Sequence, residues 1–192
     1  FISNINDLMK ENIIVVGCGI FGLSTAFKFL QAKKKVTLID PLSILDSLKS
    51  SSGESRNIRF SHANDQFYSR LSWEAAKEWK KIEKITNNKL FYDTGIVWFS
   101  AEDNGWESHS EKTIKMLNIP YQHLSPKDAM KLYPSLHVDD LRFVLHEPYG
   151  GTLAAKKCLL TLFNLCLDLG CDYINGQAEF KEDDIYVNDK KI

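Results

Sequence analysis

Paired cysteines, an excess of one charge and long apolar runs are all scarce in this chain of 192 residues. Its four cysteines, Cys18, Cys158, Cys166 and Cys171, form no CxxC pair and show no metal-type spacing with histidine. Free thiols in a reducing compartment are therefore the simpler expectation. Lys and Arg number 24 against 25 Asp and Glu, which gives no broad cationic surface and sets nucleic acid aside as a partner. No apolar run approaches the ~20 residues of a membrane-spanning helix. Asp7, Lys10 and Glu11 stand where a signal-peptide core would lie. These scarcities predict a soluble, intracellular protein, cytoplasmic in the first instance and peroxisomal as the eukaryotic alternative. A starting Met is also missing. The chain opens on Phe1 and closes on Lys190, Lys191 and Ile192, in what reads as the second arm of a hairpin, so a fragment truncated at its C-terminus is expected.

What is present is more specific. With 44% apolar side chains the sequence can bury a core. NIIVVGCGIFGLSTAFKFLQAKKKVTLID, residues 12 to 40, begins with a β-branched run, Ile13 to Val16, that fits a buried parallel strand. Gly17, Gly19 and Gly22 follow at GxGxxG spacing. Gly17 permits the tight turn, Gly19 lets backbone approach a pyrophosphate, and Gly22 lets the next helix lie close to the strand. Ile20 and Phe21 open that helix, whose positive end points at the phosphates. A second strand, Val36 to Ile39, ends in Asp40, where a carboxylate can accept from both hydroxyls of an adenosine ribose and disfavours a 2′-phosphate. The motif alone does not separate FAD from NAD.

The next segment differs from a simple NAD domain. Pro41 to Ser55 is a polar loop with six serines, among them Ser51, Ser52 and Ser55. Hydroxyls and N–H groups there suit phosphate, ribitol and ring-edge contacts, and Gly53 lets backbone come near a flat ring. SSSGESRNIR, residues 50 to 59, then places Arg56 and Arg59 three positions apart. A guanidinium is permanently charged and offers a planar fork of donors to a carboxylate. In an extended segment, positions three apart face opposite sides, so the two arginines can serve different ligands.

Taken in order, GCGIFG with Asp40, SSSGESRNIR, DTGIVWF at 93 to 99 and EPYGGTLAAKKCLLTL at 147 to 162 resemble the amine-oxidising flavoproteins. That family contains monomeric sarcosine oxidase, pipecolate oxidase and fructosyl-amino acid oxidases. The resemblance implies an α/β fold: an FAD-type Rossmann domain, doubly wound on a mostly parallel sheet, with an inserted α+β substrate domain. Its expected bounds are 11–65 and 150–192 for the FAD-binding parts and 66–149 for the insertion. The resemblance also implies that Gly53, Ser55 and Arg56 lie against the flavin and that Arg59 binds the substrate carboxylate. Arg56 would favour the anionic reduced flavin, and the turn after Asn175 would bring backbone near Ala178 to adenine. The implied reaction is oxidation of a secondary amine or N-substituted amino acid to an imine, with oxygen or another acceptor taking the electrons. Ser51 and Ser52 replace histidines found in some members, one of them a flavin attachment point, and none of the four cysteines matches the attachment cysteine of sarcosine oxidase. Covalent and non-covalent flavin both stay open. An NAD-dependent dehydrogenase and a non-catalytic dinucleotide-binding fragment are the alternative readings.

The remaining segments read as scaffold. Gln66 to Ile85 carries Tyr68, Leu71, Ala75, Trp79 and Ile82 at helical spacing. LFYDTGIVWFS gives two strand pieces around Asp93 to Gly95, with Trp98 and Phe99 as half-buried sheet residues or pocket liners. Lys112 to Leu117 reads as a short helix, and Ser125 caps another that Pro134 stops. Leu141 to Leu145 reads as a strand, Thr152 to Leu169 as a helix, Asp172 to Asn175 as a further parallel strand, and Ala178 to Tyr186 as the start of a hairpin. His146 is a candidate base, although amine oxidation needs little beyond a neutral amine and a positioned C–H bond.

Overall fold

The structure is a computed structural model that describes residues 12–51, 53–135, 137–182 and 184–192. It divides into two compact units, one of Phe1–Glu54 with Ala155–Ile192 and one of Ser55–Ala154. Residues 55–65 and 150–154, which the sequence reading gave to the FAD-binding parts, therefore pack with the inserted unit.

The first unit starts with β1 (Asn12–Val16), α1 (Ile20–Gln31) and β2 (Lys35–Asp40). The strands are parallel, with Ile13 opposite Val36 and Val16 opposite Ile39. α1 buries Leu23, Ala26, Phe27 and Leu30, the stripe a 3.6-residue period places on one face. β2 is buried from Val36 to Asp40. β1 is not the buried strand its composition suggests: Val16 stays 47% exposed. Among the described residues β1 pairs only with β2, so its far side has no neighbouring strand.

The inserted unit carries two antiparallel sheets. β3 (Ser55–Ile58) is followed by the long helix α2 (Gln66–Thr86), then β4 (Phe91–Tyr92) and β5 (Ile96–Ser100). Asp65 caps α2 by accepting from the N–H of Tyr68, and Asn87 ends it in the left-handed region at φ 52°. α2 buries Ser69, Ala76, Trp79 and Ile82, while Tyr68 and Leu71 are 58% and 47% exposed. The apolar stripe read from sequence is thus rotated at its N-terminal end. α3 (Trp106–Met116) starts well before the expected Lys112, because its buried face of Ser108, Ser110, Thr113 and Ile114 is mostly hydroxyls and carries little hydrophobic periodicity. β6 (Gln122–Leu124) leads to α4 (Pro126–Leu132), capped as expected by Ser125 accepting from the N–H of Asp128.

β7 (Phe143–Glu147) and β8 (Gly151–Ala154) are the central strands of the two sheets, ordered β5-β7-β6 and β3-β8-β4. Thr152 to Ala154, expected from sequence as the start of a helix, belong instead to strand β8. Thr152 pairs with both Asn57 and Tyr92. A Cβ at Gly151 would fall 2.0 Å from the Tyr92 carbonyl oxygen, so this close sheet contact requires glycine.

The chain then returns to the first unit through α5 (Ala155–Asp168), which packs on α1. β9 (Asp172–Asn175) adds parallel to β2, giving the order β1-β2-β9. This right-sized βα arrangement is the α/β fold expected. β10 (Ala178–Lys181), β11 (Asp184–Val187) and β12 (Lys190–Lys191) form an antiparallel meander, one strand more than the hairpin read from sequence. All four cysteines are buried and none forms a disulfide. Among the described residues no helix is long and apolar enough to cross a membrane.

Candidate functional site

In the first unit the glycine motif builds an open turn. Gly17 adopts φ +101° and donates its N–H to the Ile39 carbonyl at 2.7 Å, tying the turn to the end of β2. A Cβ at Gly22 would lie 1.8 Å from the Gly17 carbonyl oxygen, so α1 can approach the turn only without a side chain there. A Cβ at Gly17 would meet nothing within 4 Å, which leaves that side of the turn accessible. α1 begins at the N-cap Gly19 with no side-chain cap, and the Ile20 N–H donates to Ser51 Oγ at 3.3 Å. Phe21 is 89% exposed at this end. Uncapped N–H groups at a positive helix end beside an open glycine turn are what a pyrophosphate requires.

Asp40 lies under this turn, and its carboxylate is already engaged. The N–H of Cys18 donates to Oδ2 at 2.5 Å, that of Leu42 to Oδ1 at 2.8 Å, and Lys49 Nζ to Oδ2 at 2.9 Å. The Lys49 and Asp40 side chains are only 9% and 6% exposed, a nearly buried ion pair. Burial works to raise the Asp40 pKa, but the Cys18 N–H, the Lys49 ammonium and the Leu42 N–H outweigh it and hold the carboxyl below its ordinary value. A carboxylate has about four acceptor positions, so one is left over beside these three donors. The residues fit an FAD dinucleotide. Lys49 escaped sequence reading because a lysine in a serine-rich loop looks like a solvated charge.

Of the other residues assigned to the cofactor, Ser51 lies beside Gly19, whose Cβ position is 3.5 Å from Ser51 Oγ. Ser52 lies outside the described residues. The strand end at Asn175 is tied to Asp40 through its side-chain amide and the Gly176 N–H, both donating to the Asp40 carbonyl at 3.1 and 3.2 Å. Ala178 follows as the first residue of β10, opposite Val187. Gly53 is half-buried, and Ser55 opens β3 in the inserted unit.

The inserted unit holds both arginines. Arg56 sits in β3 opposite Leu153, exposed, with Nη1 donating to the Ser55 carbonyl at 2.7 Å. Ile58 and Phe60 are buried, and Arg59 between them projects to the opposite side. Its guanidinium rests 5.2 Å from the Trp98 ring and 5.8 Å from the Trp106 ring. The two indoles are themselves in contact at 4.7 Å between centroids. This aromatic shelf carries no net charge, so the exposed guanidinium it supports remains a cation able to bind an anion.

Glu147 holds the shelf together and was not singled out in the sequence. β3 ends at Ile58, so the buried N–H groups of Phe60 and Ser61 have left the ladder and need acceptors. Glu147, fully buried, accepts from Phe60 N–H at 2.5 Å, from Ser61 N–H at 3.1 Å and from the Trp98 indole N–H at 2.8 Å. Ile96 lies opposite Glu147 in the β5–β7 pair, so Trp98 is its diagonal neighbour on the same face. An acid before Pro148 reads as a turn residue, which is why composition did not reveal it.

The histidines are less exposed to chemistry. His146 Nδ1 faces the Gln122 side-chain oxygen at 2.8 Å and Nε2 faces the Tyr133 hydroxyl at 3.3 Å. Burial lowers its pKa, against the opposing charge of Glu147. Burial and then the Arg59 charge lower the His62 pKa, and His62 Nε2 is buried without a partner among the described residues.

A family model of FAD dependent oxidoreductases matches residues 12–188. The chain is 27% identical over 164 residues to the peroxisomal sarcosine oxidase of Mus musculus, covering 85% of the chain and 42% of that protein. It is 30% identical over 148 residues to a putative sarcosine oxidase of Caenorhabditis elegans, covering 77% and 38%. The solved L-proline dehydrogenase from P. horikoshii superposes with a TM-score of 0.79 at 19% identity, over 92% of this chain and 48% of that one. A modified fructosyl peptide oxidase from Aspergillus nidulans gives 0.76 at 20% identity, over 96% and 48%. The chain thus spans about two fifths of the length of the curated relatives it matches.

Proposed function

The chain belongs to the FAD dependent oxidoreductase family, and from that membership we propose that it oxidises a secondary amine or N-substituted amino acid, of sarcosine, pipecolate or fructosyl-amino acid type, to an imine. Membership decides the cofactor in favour of FAD over NAD. FAD held by these residues would supply a two-electron acceptor for the oxidation of the C–N bond, with oxygen as the onward acceptor, reduced to hydrogen peroxide, and water hydrolysing the imine.

This chain's own residues hold and orient. Gly17, Gly19, Ile20, Phe21 and Gly22 offer backbone to the pyrophosphate, with Ser51 beside the helix start, and Asp40 accepts from the ribose. Ala178 offers backbone to adenine, while Gly53, Ser55 and Arg56 face the ring system, where the Arg56 charge favours its reduced anionic form. Arg59 binds the substrate carboxylate. The observation that carries the reading is the Arg59 guanidinium, exposed on two indoles with no carboxylate set against it by any described ion pair or hydrogen bond. A bidentate fork on an aromatic rest is suited to an amino-acid carboxylate. The peroxisomal name of the Mus musculus relative supports an intracellular location.

The test compares an N-methylated amino acid with the same amine lacking its carboxylate, reading peroxide. Turnover of the first with KM at least about tenfold below the second, the equivalent of roughly 1.4 kcal/mol, supports the reading. Equal KM values would remove Arg59 from it, and retained FAD without turnover of either amine would favour a cofactor-binding role.

A further inference from the structure

Arg59 reaches its place through two independent supports, and both end on one side chain. The backbone immediately after it, at Phe60 and Ser61, donates to Glu147, and so does the indole N–H of Trp98, the ring beneath its guanidinium. Phe60, Ser61 and Glu147 are all fully buried, so water cannot replace the Glu147 carboxylate as acceptor for the two backbone N–H groups. Three donors on one carboxylate fix its oxygens, and the fixed oxygens in turn fix both the chain direction at Arg59 and the tilt of the indole.

We propose that Glu147 is the positioning residue for the substrate-carboxylate site, setting the guanidinium of Arg59 without touching substrate; this rests on the role given to Arg59 above. The carboxylate is required, not merely a polar group of that size. In Glu147→Gln the amide NH2 would confront a backbone or indole N–H, leaving one donor buried and unpaired while volume and shape are unchanged. The strain would be relieved by a shift of the Arg59 backbone or of the Trp98 ring, and either movement spoils a two-point grip on a carboxylate.

The experiment uses the FAD-loaded protein and titrates acetate, read by the change in flavin absorbance and independently by calorimetry. Four proteins are compared: wild type, Glu147→Gln, Arg59→Ala and the double variant. The expectation is that Glu147→Gln raises the acetate Kd about tenfold, and that it adds nothing once Arg59 is absent, because a residue acting through another is non-additive with it. The same variant should raise KM for an N-methylated amino acid and leave kcat nearly unchanged. Trp98→Phe, which leaves a smaller aromatic ring and removes one of the three donors, is the second probe should Glu147→Gln fail to fold; it should raise the Kd about threefold, and in the wild type the Trp98 indole N–H resonance, identified by its absence from the spectrum of this variant, should be protected from solvent exchange. An unchanged acetate Kd in Glu147→Gln, or in Trp98→Phe, overturns the proposal. So does a Glu147→Gln loss that persists in full in the Arg59→Ala background. Acetate binding that is insensitive to Arg59→Ala instead overturns the role of Arg59, and the two failures are thereby separated.

Discussion

Gly22 and Asp40 show how much a single residue decides in this chain. The 1.8 Å separation between a Cβ at position 22 and the Gly17 carbonyl means that even the smallest side chain must push α1 off the turn. Gly22→Ala is expected to destabilise the protein by about 3 kcal/mol, the upper range for overpacking, and to abolish FAD retention on gel filtration; a variant that retains flavin at wild-type stability would refute the close approach. Asp40 carries a pH signature. Its folded pKa lies below the ordinary 3.8. Its stabilisation is therefore complete above the unfolded value and is lost as pH falls through the folded one. Thermal denaturation of wild type and Asp40→Asn should differ at neutral pH and converge below about pH 4. Lys49→Met, which strands a nearly buried carboxylate, should cost about 3 kcal/mol at neutral pH, a loss that chemical denaturation would register. The motif glycines and Asp40 were legible in sequence because each answers to a steric or charge rule at a fixed spacing. Lys49 and Glu147 were not, since what makes them matter is burial against residues far along the chain, and nothing local in SLKSSS or HEPYG announces that.

At the scale of elements, legibility followed the chemistry of the buried face. α2 and α5 show apolar spacing and were read nearly at their true extent, whereas the start of α3 was missed because Ser108 and Ser110 occupy its inner face. Thr152 to Ala154 went to a helix because the segment runs without punctuation into α5; the decisive partners, Asn57 and Tyr92, lie at distances in sequence that periodicity does not sense. Gly151→Ala should accordingly break the β8 pairing with β4, lowering Tm by several degrees while leaving the parallel sheet of the other unit intact. Amide hydrogen exchange would show deprotection confined to 55–154, and uniform deprotection of both units would contradict it. The packing of α5 on α1 gives a second element-scale outcome. Burial raises the thiol of Cys166 to about 12, and burial together with the Asp40 charge raises that of Cys18 to about 12. At pH 8 only about one such thiol in ten thousand is ionised. A thiol-disulfide reagent should label Cys18 and Cys166 only on unfolding, and rapid labelling of the native protein would contradict their burial.

For the whole molecule, the sequence made the α/β class and the FAD reading visible because one strand-turn-helix-strand unit concentrates several independent constraints in fewer than thirty residues. The position of the inserted unit was less visible. Its bounds at Ser55 and Ala154 follow from β3 pairing with β8, a contact between segments almost a hundred residues apart. That pairing anchors the segment carrying both arginines in one sheet, while Trp98 and Glu147 belong to the other, so the candidate carboxylate site is assembled from both sheets of this unit. In the proposed reaction, FAD bound here is reduced by an amine whose carboxylate Arg59 holds. The most direct measurement is the visible flavin absorbance of the FAD-loaded protein in the absence of oxygen, as an N-methylated amino acid is added. Bleaching of the flavin band by that substrate is expected, with much weaker bleaching by the matching amine without a carboxylate and loss of this preference in Arg59→Ala. A flavin band that stays unchanged with the N-methylated, cyclic and fructosyl amino acids alike would contradict it.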